Sequence, residues 1–311
     1  MSAPKTATSS AIDSVIERVR AVYGRWRRST SVAQMRADWD TLFGGEVPGV
    51  TVAPAQLSGL DGEWVSSPDA DPAHVILYFH GGGFQVGSVV SHRELMAGIS
   101  EATGWRVLGV GYRLAPEHRY PAALDDAVNA YDWLLAQGFA PGDIVLAGDS
   151  AGGNLALATL LRLRDAGREM PAGAVLMSAW TDMSASGESY VSRAESDPIH
   201  QRPMIEAMAR NYLGAEGDPV DPFISPLFAE LHGLPPLLIQ VGDRETVLSD
   251  SVAFADKARA AGVSVQLEVW DGMIHVFQQF PDALPEARAA RRSIGAFVQG
   301  LASNRSITRK P

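Results

Sequence analysis

The stretch GDSAGGNLALATLLRLRD, residues 148–165, constrains the fold more than any other part of the chain. It follows the apolar run DIVLAG (143–148) and leads into apolar residues at helical spacing, so it reads as a strand, a very short turn and a helix. Gly148 and Gly152 flank Ser150 at i−2 and i+2. A turn that sharp pushes the serine into a strained conformation and brings strand and helix to a distance that only glycine permits. The Ser150 hydroxyl is then exposed above a sheet edge at a helix N-terminus, where the dipole favours developing negative charge. A glycine-rich phosphate loop is the competing reading, but the spacing matches neither G-x-x-x-x-G-K-[ST] nor G-x-G-x-x-G.

The rest of the chain alternates in the same way. VILYF (75–79), RVLGVGY (106–112), DIVLAG, GAVLMSA (173–179), PLLIQVG (236–242) and VQLEVW (265–270) read as buried strands. Residues 121–138, 151–167, 249–262 and 285–301 carry helical periodicity with Gly or Pro at their ends. Strand and helix in turn predict an α/β protein whose mostly parallel central sheet is flanked by helices. Two stretches break the rhythm. Residues 1–45 are helical without a strand partner, and 184–227 form an overlong connection of the kind compact domains reserve for lids or caps.

Composition sets outer limits. With 311 residues, 46% of them hydrophobic, the chain can bury one large core. It has no cysteine, which excludes a thiolate nucleophile and a cysteine-based zinc site and leaves covalent chemistry to Ser, Thr, Lys or a carboxylate. A formal charge of −10 argues against nucleic acid, and the basic clusters RWRR (25–28) and RSITRKP (305–311) are too short to reverse that. No run approaches the ~18 apolar residues of a membrane span, and the first residues lack an apolar leader core, so the expected setting is cytoplasmic.

A serine nucleophile needs somewhere to put an oxyanion. FHGGGF (79–84) directly follows VILYF, and its successive glycines can turn backbone N–H groups toward a carbonyl oxygen. Gly82, Gly83 and the residue after the serine, Ala151, are the expected donors. His80 has no second ligand at metal spacing and reads as a residue that orients this loop. Asp149 reads as support for the turn.

Together HGGGF (80–84), YRLAPEHRYPAALDDA (112–127), GDSAGGNLA (148–156), GLPPLLIQVG (233–242) and DGMIHVF (271–277) resemble the hormone-sensitive-lipase-like branch, bacterial family IV, of the α/β-hydrolase esterases. The resemblance implies a core, residues 46–183 and 228–311, beneath a helical cap built from 1–45 and 184–227. It also implies catalysis of ester hydrolysis without metal or organic cofactor, on a small-molecule ester, in a family that often forms homodimers. His275 matches the family base and is the one histidine after the last long strand, giving the order Ser, acid, His. For the acid, DRETVLSDS after strand 236–242 offers Asp243, Glu245 and Asp250, where the family more often shows Asp-Pro-Leu. Glu245 is preferred because it precedes His275 by the family's usual spacing; Asp243 is the alternative.

Phe84, Trp180, Met204, Met208 and Tyr212, with Trp26 and Phe223, are the expected substrate-pocket residues. In AIDSVIERVRAVYGRWRR (11–28), Ile12, Val15, Val19, Val22 and Tyr23 recur at helical spacing. That face is expected to pack on the insertion around Met204–Tyr212 and roof the site, favouring short and medium acyl chains. A lactone hydrolase or an acyltransferase would share the triad. A plant-type receptor of the same fold would lack the base.

Overall fold

The computed structural model describes residues 6–27 and 29–308; Arg28 of the first basic cluster, residues 309–311 of the basic tail and residues 1–5 lie outside them. Among the described residues, eight strands form one sheet: β1 (Thr51–Leu57), β2 (Leu60–Ser66), β3 (Asp71–Phe79), β4 (Trp105–Val110), β5 (Ile144–Asp149), β6 (Gly173–Met177), β7 (Leu237–Gly242) and β8 (Val265–Trp270). Their spatial order is β1-β2-β4-β3-β5-β6-β7-β8. The β1/β2 and β2/β4 pairs are antiparallel, and all others are parallel. The helices are α1 (Thr6–Tyr23), α2 (Val32–Phe43), α3 (Arg93–Thr103), α4 (Ala122–Ala136), α5 (Ala151–Asp165), α6 (Ser189–Ser192), α7 (Arg202–Leu213), α8 (Leu248–Ala260) and α9 (Pro285–Thr308).

The central strands are apolar on both faces because both are covered. Along β3, Val75, Leu77 and Phe79 enter one core with α4, α5 and α8, while Ile76 and Tyr78 enter the other with α3 and α9. That period of two is the geometry of a strand. It places the C-terminal ends of β3, β5, β6 and β7 along one rim, where loops collect in open α/β sheets.

Three features depart from the sequence reading. The β1–β2 hairpin was not among the expected strands; its turn, Ser58-Gly59, takes positive φ at both residues (52° and 96°), as a two-residue hairpin requires. Strand β8 is an edge rather than a buried strand, with Val269 exposed. Helix α1 does bury Ile12, Val15, Ile16 and Val19, but against Met273, Ile274, Phe277, Phe280 and Leu284 rather than the insertion. Ile199 is the insertion residue packed at that cluster's margin. The apolar stripe specified burial without specifying a partner.

Candidate active site

Ser150 sits between β5 and α5 with φ 53° and ψ −117°, a backbone conformation that costs a non-glycine residue of order 1–3 kcal/mol. Neighbouring backbone holds it there. Its N–H donates to the Met177 carbonyl (2.8 Å), and its own carbonyl accepts from Trp180 (3.1 Å) and Asn154 (3.1 Å). Gly152 is required by contact: a Cβ there would lie 1.9 Å from the Phe79 carbonyl oxygen.

The residue before the serine fastens the glycine loop. Asp149 Oδ1 accepts from the Tyr78 hydroxyl (2.5 Å) and the Gly81 N–H (3.0 Å), and Oδ2 lies 3.4 Å from His92 Nε2. Burial alone would raise the Asp149 carboxyl, but the charge of His92 and the hydrogen bonds of His92 and Tyr78 outweigh it and hold the group below its ordinary value. His80 stacks on Tyr112 (4.3 Å, 16°) with Nδ1 2.8 Å from the Gly81 carbonyl oxygen. Its burial, with the charge of His92, depresses it to about 3. Gly82 and Gly83 take positive φ (114° and 60°). The N–H groups of Gly82, Gly83 and Ala151 donate to no other described residue.

His275 lies in the loop after β8, 7% exposed, with Nδ1 2.7 Å from Glu245 Oε2. Glu245 is fully buried, and its other oxygen accepts from the Ser178 hydroxyl (2.8 Å) and the Gly242 N–H (2.5 Å). Ser178 in turn accepts from Val276 N–H (3.0 Å), tying Glu245 to the His275 loop. The serine reaches this position because β6 ends at Met177 and Ser178 turns away with φ 50°, short of the strand end expected at Ala179. Asp243 bonds elsewhere, accepting from Gly272 N–H (2.7 Å). Asp250 also bonds elsewhere, to the N–H groups of Thr181 and Asp182 (2.9 Å each). Burial would lower the His275 imidazole, but the Glu245 charge and hydrogen bond, helped by Asp197 and Asp149, raise it above its ordinary value. Its Nε2 is buried without a hydrogen-bond partner, Ser150 included. Such contacts are commonly long before substrate binds.

Ser150, His275, Gly82 and Gly83 line one mostly apolar cavity. Of the expected pocket residues, Trp180 and Met208 line it. Phe84 and Tyr212 do not: they stack on each other at 3.9 Å inside the main core. Met204 and Trp26 line a neighbouring outer cleft, and Phe223 lies beneath Arg162. The remaining apolar wall comes from Val19 and Tyr23 of α1, Trp39 and Phe43 of α2, and Ile199, Ile205, Val276 and Phe280. Val19 and Tyr23 belong to the stripe read from the sequence; Trp39 and Phe43 were not singled out, although their i, i+4 spacing was a usable signal. His200, also in the wall, had no such signal.

The insertion is fastened to the turn that carries Glu245. Asp197 Oδ1 accepts from Ile199 and His200 N–H (2.9 Å each), and Oδ2 accepts from Thr246 N–H (2.8 Å) and Oγ1 (3.1 Å). The Ser189 hydroxyl donates to the Thr246 carbonyl (2.5 Å). Among the described residues there is no cluster of three or more His, Asp or Glu able to hold a metal, and no helix long and apolar enough to cross a membrane.

Fold and rim geometry together are those of an α/β hydrolase. The family model described as "alpha/beta hydrolase fold" matches residues 76–279. An esterase of Acinetobacter venetianus is 41% identical over 254 residues, 82% of this chain and 84% of that one. An acetyl-hydrolase of Streptomyces hygroscopicus is 44% identical over 237 residues, 76% and 79% of the two chains. The crystal structure of an esterase from the bacterial hormone-sensitive lipase family superposes with TM-score 0.91 at 41% identity, covering 97% of this chain and 99% of that one. The chain belongs to the α/β-hydrolase family, in its hormone-sensitive-lipase-like branch.

Proposed function

We propose that this carboxylic ester hydrolase is a serine carboxylesterase that cleaves short- to medium-chain esters through an acyl-enzyme. One relationship carries the reading: a strained serine, a buried imidazole paired with a buried carboxylate, and free backbone N–H groups all face one apolar cavity. In this mechanism Ser150 Oγ attacks the ester carbonyl and passes its proton to His275 Nε2. Glu245 holds the imidazole in the tautomer that leaves Nε2 unprotonated and stabilises the imidazolium that forms. Gly82, Gly83 and Ala151 N–H groups receive the oxyanion, and His275 then protonates the leaving alcohol. Water repeats the sequence on the acyl-enzyme.

The mostly apolar wall around Ser150 suits the carbon chain of an ester. The acetyl-hydrolase relative supports a short acyl group. Residues 1–45 and 184–227 act as a cap over the core at 46–183 and 228–311, because α1, α2 and the insertion contribute side chains to the cavity that contains Ser150. A lactonase or acyltransferase would use the same steps with a different ring or acceptor. A silent receptor is disfavoured by the His275–Glu245 pair. A panel of acyl esters, lactones and alcohol acceptors, run with wild type and Ser150→Ala, tests the reading: esters should be turned over fastest, and only by wild type. Equal ester turnover by Ser150→Ala would overturn it.

A further inference from the structure

His200 is a buried imidazole to which the acyl-enzyme cycle assigns no task. It is 7% exposed and lines the same cavity as Ser150 and His275. Its ring meets that of His275 edge to face, with centroids 4.3 Å apart and planes at 75°. Its Nδ1 is buried and has no hydrogen-bond partner among the described residues. Leaving a buried polar nitrogen unpaired is destabilising, so a residue held that way at a reaction centre points to a ligand. The position is fixed, since Asp197 clamps the His200 N–H on one side and Thr246, next to Glu245, on the other.

The two halves of the cycle make different demands. In acylation His275 hands one proton to a departing alcohol. In deacylation the attacking water carries two O–H bonds, and His275 Nε2 can accept only one. The other must find an acceptor in a cavity walled by Tyr23, Trp39, Phe43, Trp180 and Phe280. Glu245 is occupied by His275, Ser178 and Gly242, and Asp149 by Tyr78, Gly81 and His92. A neutral imidazole always keeps one unprotonated ring nitrogen. Burial and the charge of His275 depress His200 to about 3, so that nitrogen is available across the neutral range.

Resting on the serine-esterase reading, we infer that His200 is a second catalytic imidazole, which accepts the spare O–H of the water attacking the acyl-enzyme and so favours hydrolysis over acyl transfer. The water oxygen bonds to the acyl carbon as its first proton passes to His275 Nε2. The tetrahedral intermediate then expels Ser150 Oγ, breaking the C–O bond, and His275 returns that proton to the serine. The second proton remains on the product acid. An alcohol acceptor has a single O–H and does not need His200.

The test uses the full chain and p-nitrophenyl acetate in stopped flow, comparing wild type, His200→Phe, His200→Asn and Gln279→Ala, the last because Gln279 also lines the cavity. His200→Phe should release a burst close to one equivalent of p-nitrophenol, then turn over about tenfold more slowly, with kcat/KM held because acylation is untouched. Methanol should accelerate its turnover more than that of wild type, and methyl acetate should become the main product. His200→Asn, whose amide oxygen can stand near the Nδ1 position, should recover much of kcat. A parallel fall of kcat and kcat/KM without a burst would overturn the assignment, as would unchanged kinetics or the burst appearing in Gln279→Ala instead. Failure of the esterase reading is a separate result: wild type would then show no turnover that depends on Ser150.

Discussion

Glu245 Oε2 lies 2.7 Å from His275 Nδ1, while Asp243 Oδ1, two residues earlier, accepts from the Gly272 N–H. If Glu245 fixes the tautomer, Glu245→Ala should lower kcat by roughly 10⁴. Asp243→Ala should cost stability of ~1 kcal/mol through the lost loop hydrogen bond and leave kcat near wild type. Steady-state kinetics with thermal melts on both variants separates the roles, and the reverse ranking would move the acid to Asp243.

Ser150→Ala is expected to fold and to lose about 10⁶ in kcat. The backbone hydrogen bonds that hold the turn do not involve the hydroxyl. Circular dichroism should therefore match wild type while ester turnover falls to the level supported by the N–H groups and binding alone.

The pH dependence follows from the sign of the His275 shift. If His275 is the base, it must be neutral to take the serine proton, and its pKa is raised above 6.5. Activity should thus fall as pH drops through a midpoint above 6.5. Glu245→Gln removes the charge that opposes burial, so the midpoint of whatever activity remains should move down. A pH–rate profile for each enzyme checks both; a Glu245→Gln midpoint at or above that of wild type would contradict the assignment.

His200 makes the opposite contribution to stability. Its folded-state value, about 3, lies below the ordinary 6.5, so between those limits the unfolded chain binds the additional proton. This part of the stability is intact above pH 6.5 and is lost as pH falls toward 3. His200→Phe should flatten the acid side of a plot of unfolding free energy against pH.

How much of this was legible in the sequence depended on whether one element or several carried the information. Ser150, its flanking glycines and the HGGGF loop are local, since each turn dictates its own residue types, and they could be read directly. Phe84 and Tyr212 could not be assigned, because an aromatic at helical spacing is equally suited to core or cavity, and only the tertiary stacking at 3.9 Å decides. Ser178, Asp197 and His200 are ordinary residues in sequence. Their importance comes from the approach of the insertion and the end of β6 to the Glu245 turn, a contact that no local pattern encodes. The hairpin at Ser58-Gly59 had a usable signal in its turn residues.

Helix α1 provides a separate test of how the cavity is walled. Val19 is 1% exposed, packs with Phe277 and Phe280, and lines the cavity, whereas Val22, on the same helix, is half-buried and outside that cluster. Val19→Asp buries an unpaired charge beside the His275 loop and should cost roughly 3–5 kcal/mol together with most activity. Val22→Asp should leave both nearly intact. Similar melts and rates for the two variants would show that α1 does not support the site.

If the proposed esterase reading holds, Met208 should determine where the acyl chain stops. It is one of three residues, with Tyr23 and Ile199, that line both the cavity at Ser150 and the outer cleft containing Trp26, Met35 and Met204. Its sulfur lies 2.6 Å from where a Cβ on Gly83 would stand, so it forms the wall directly beside the expected oxyanion site. Methionine is unbranched and flexible, which makes this wall movable but not absent. Met208→Ala should join the two spaces and let an acyl chain run into the outer cleft. Each methylene newly buried there contributes about 0.8 kcal/mol, or roughly fourfold in kcat/KM. The preference measured across acetate, butyrate, hexanoate and octanoate esters of p-nitrophenol should therefore shift toward the longer acids. Met204→Ala, which changes only the far side of the wall, should leave the wild-type preference in place. If the profile of Met208→Ala follows that of wild type, the partition lies elsewhere, with Tyr23 or Ile199.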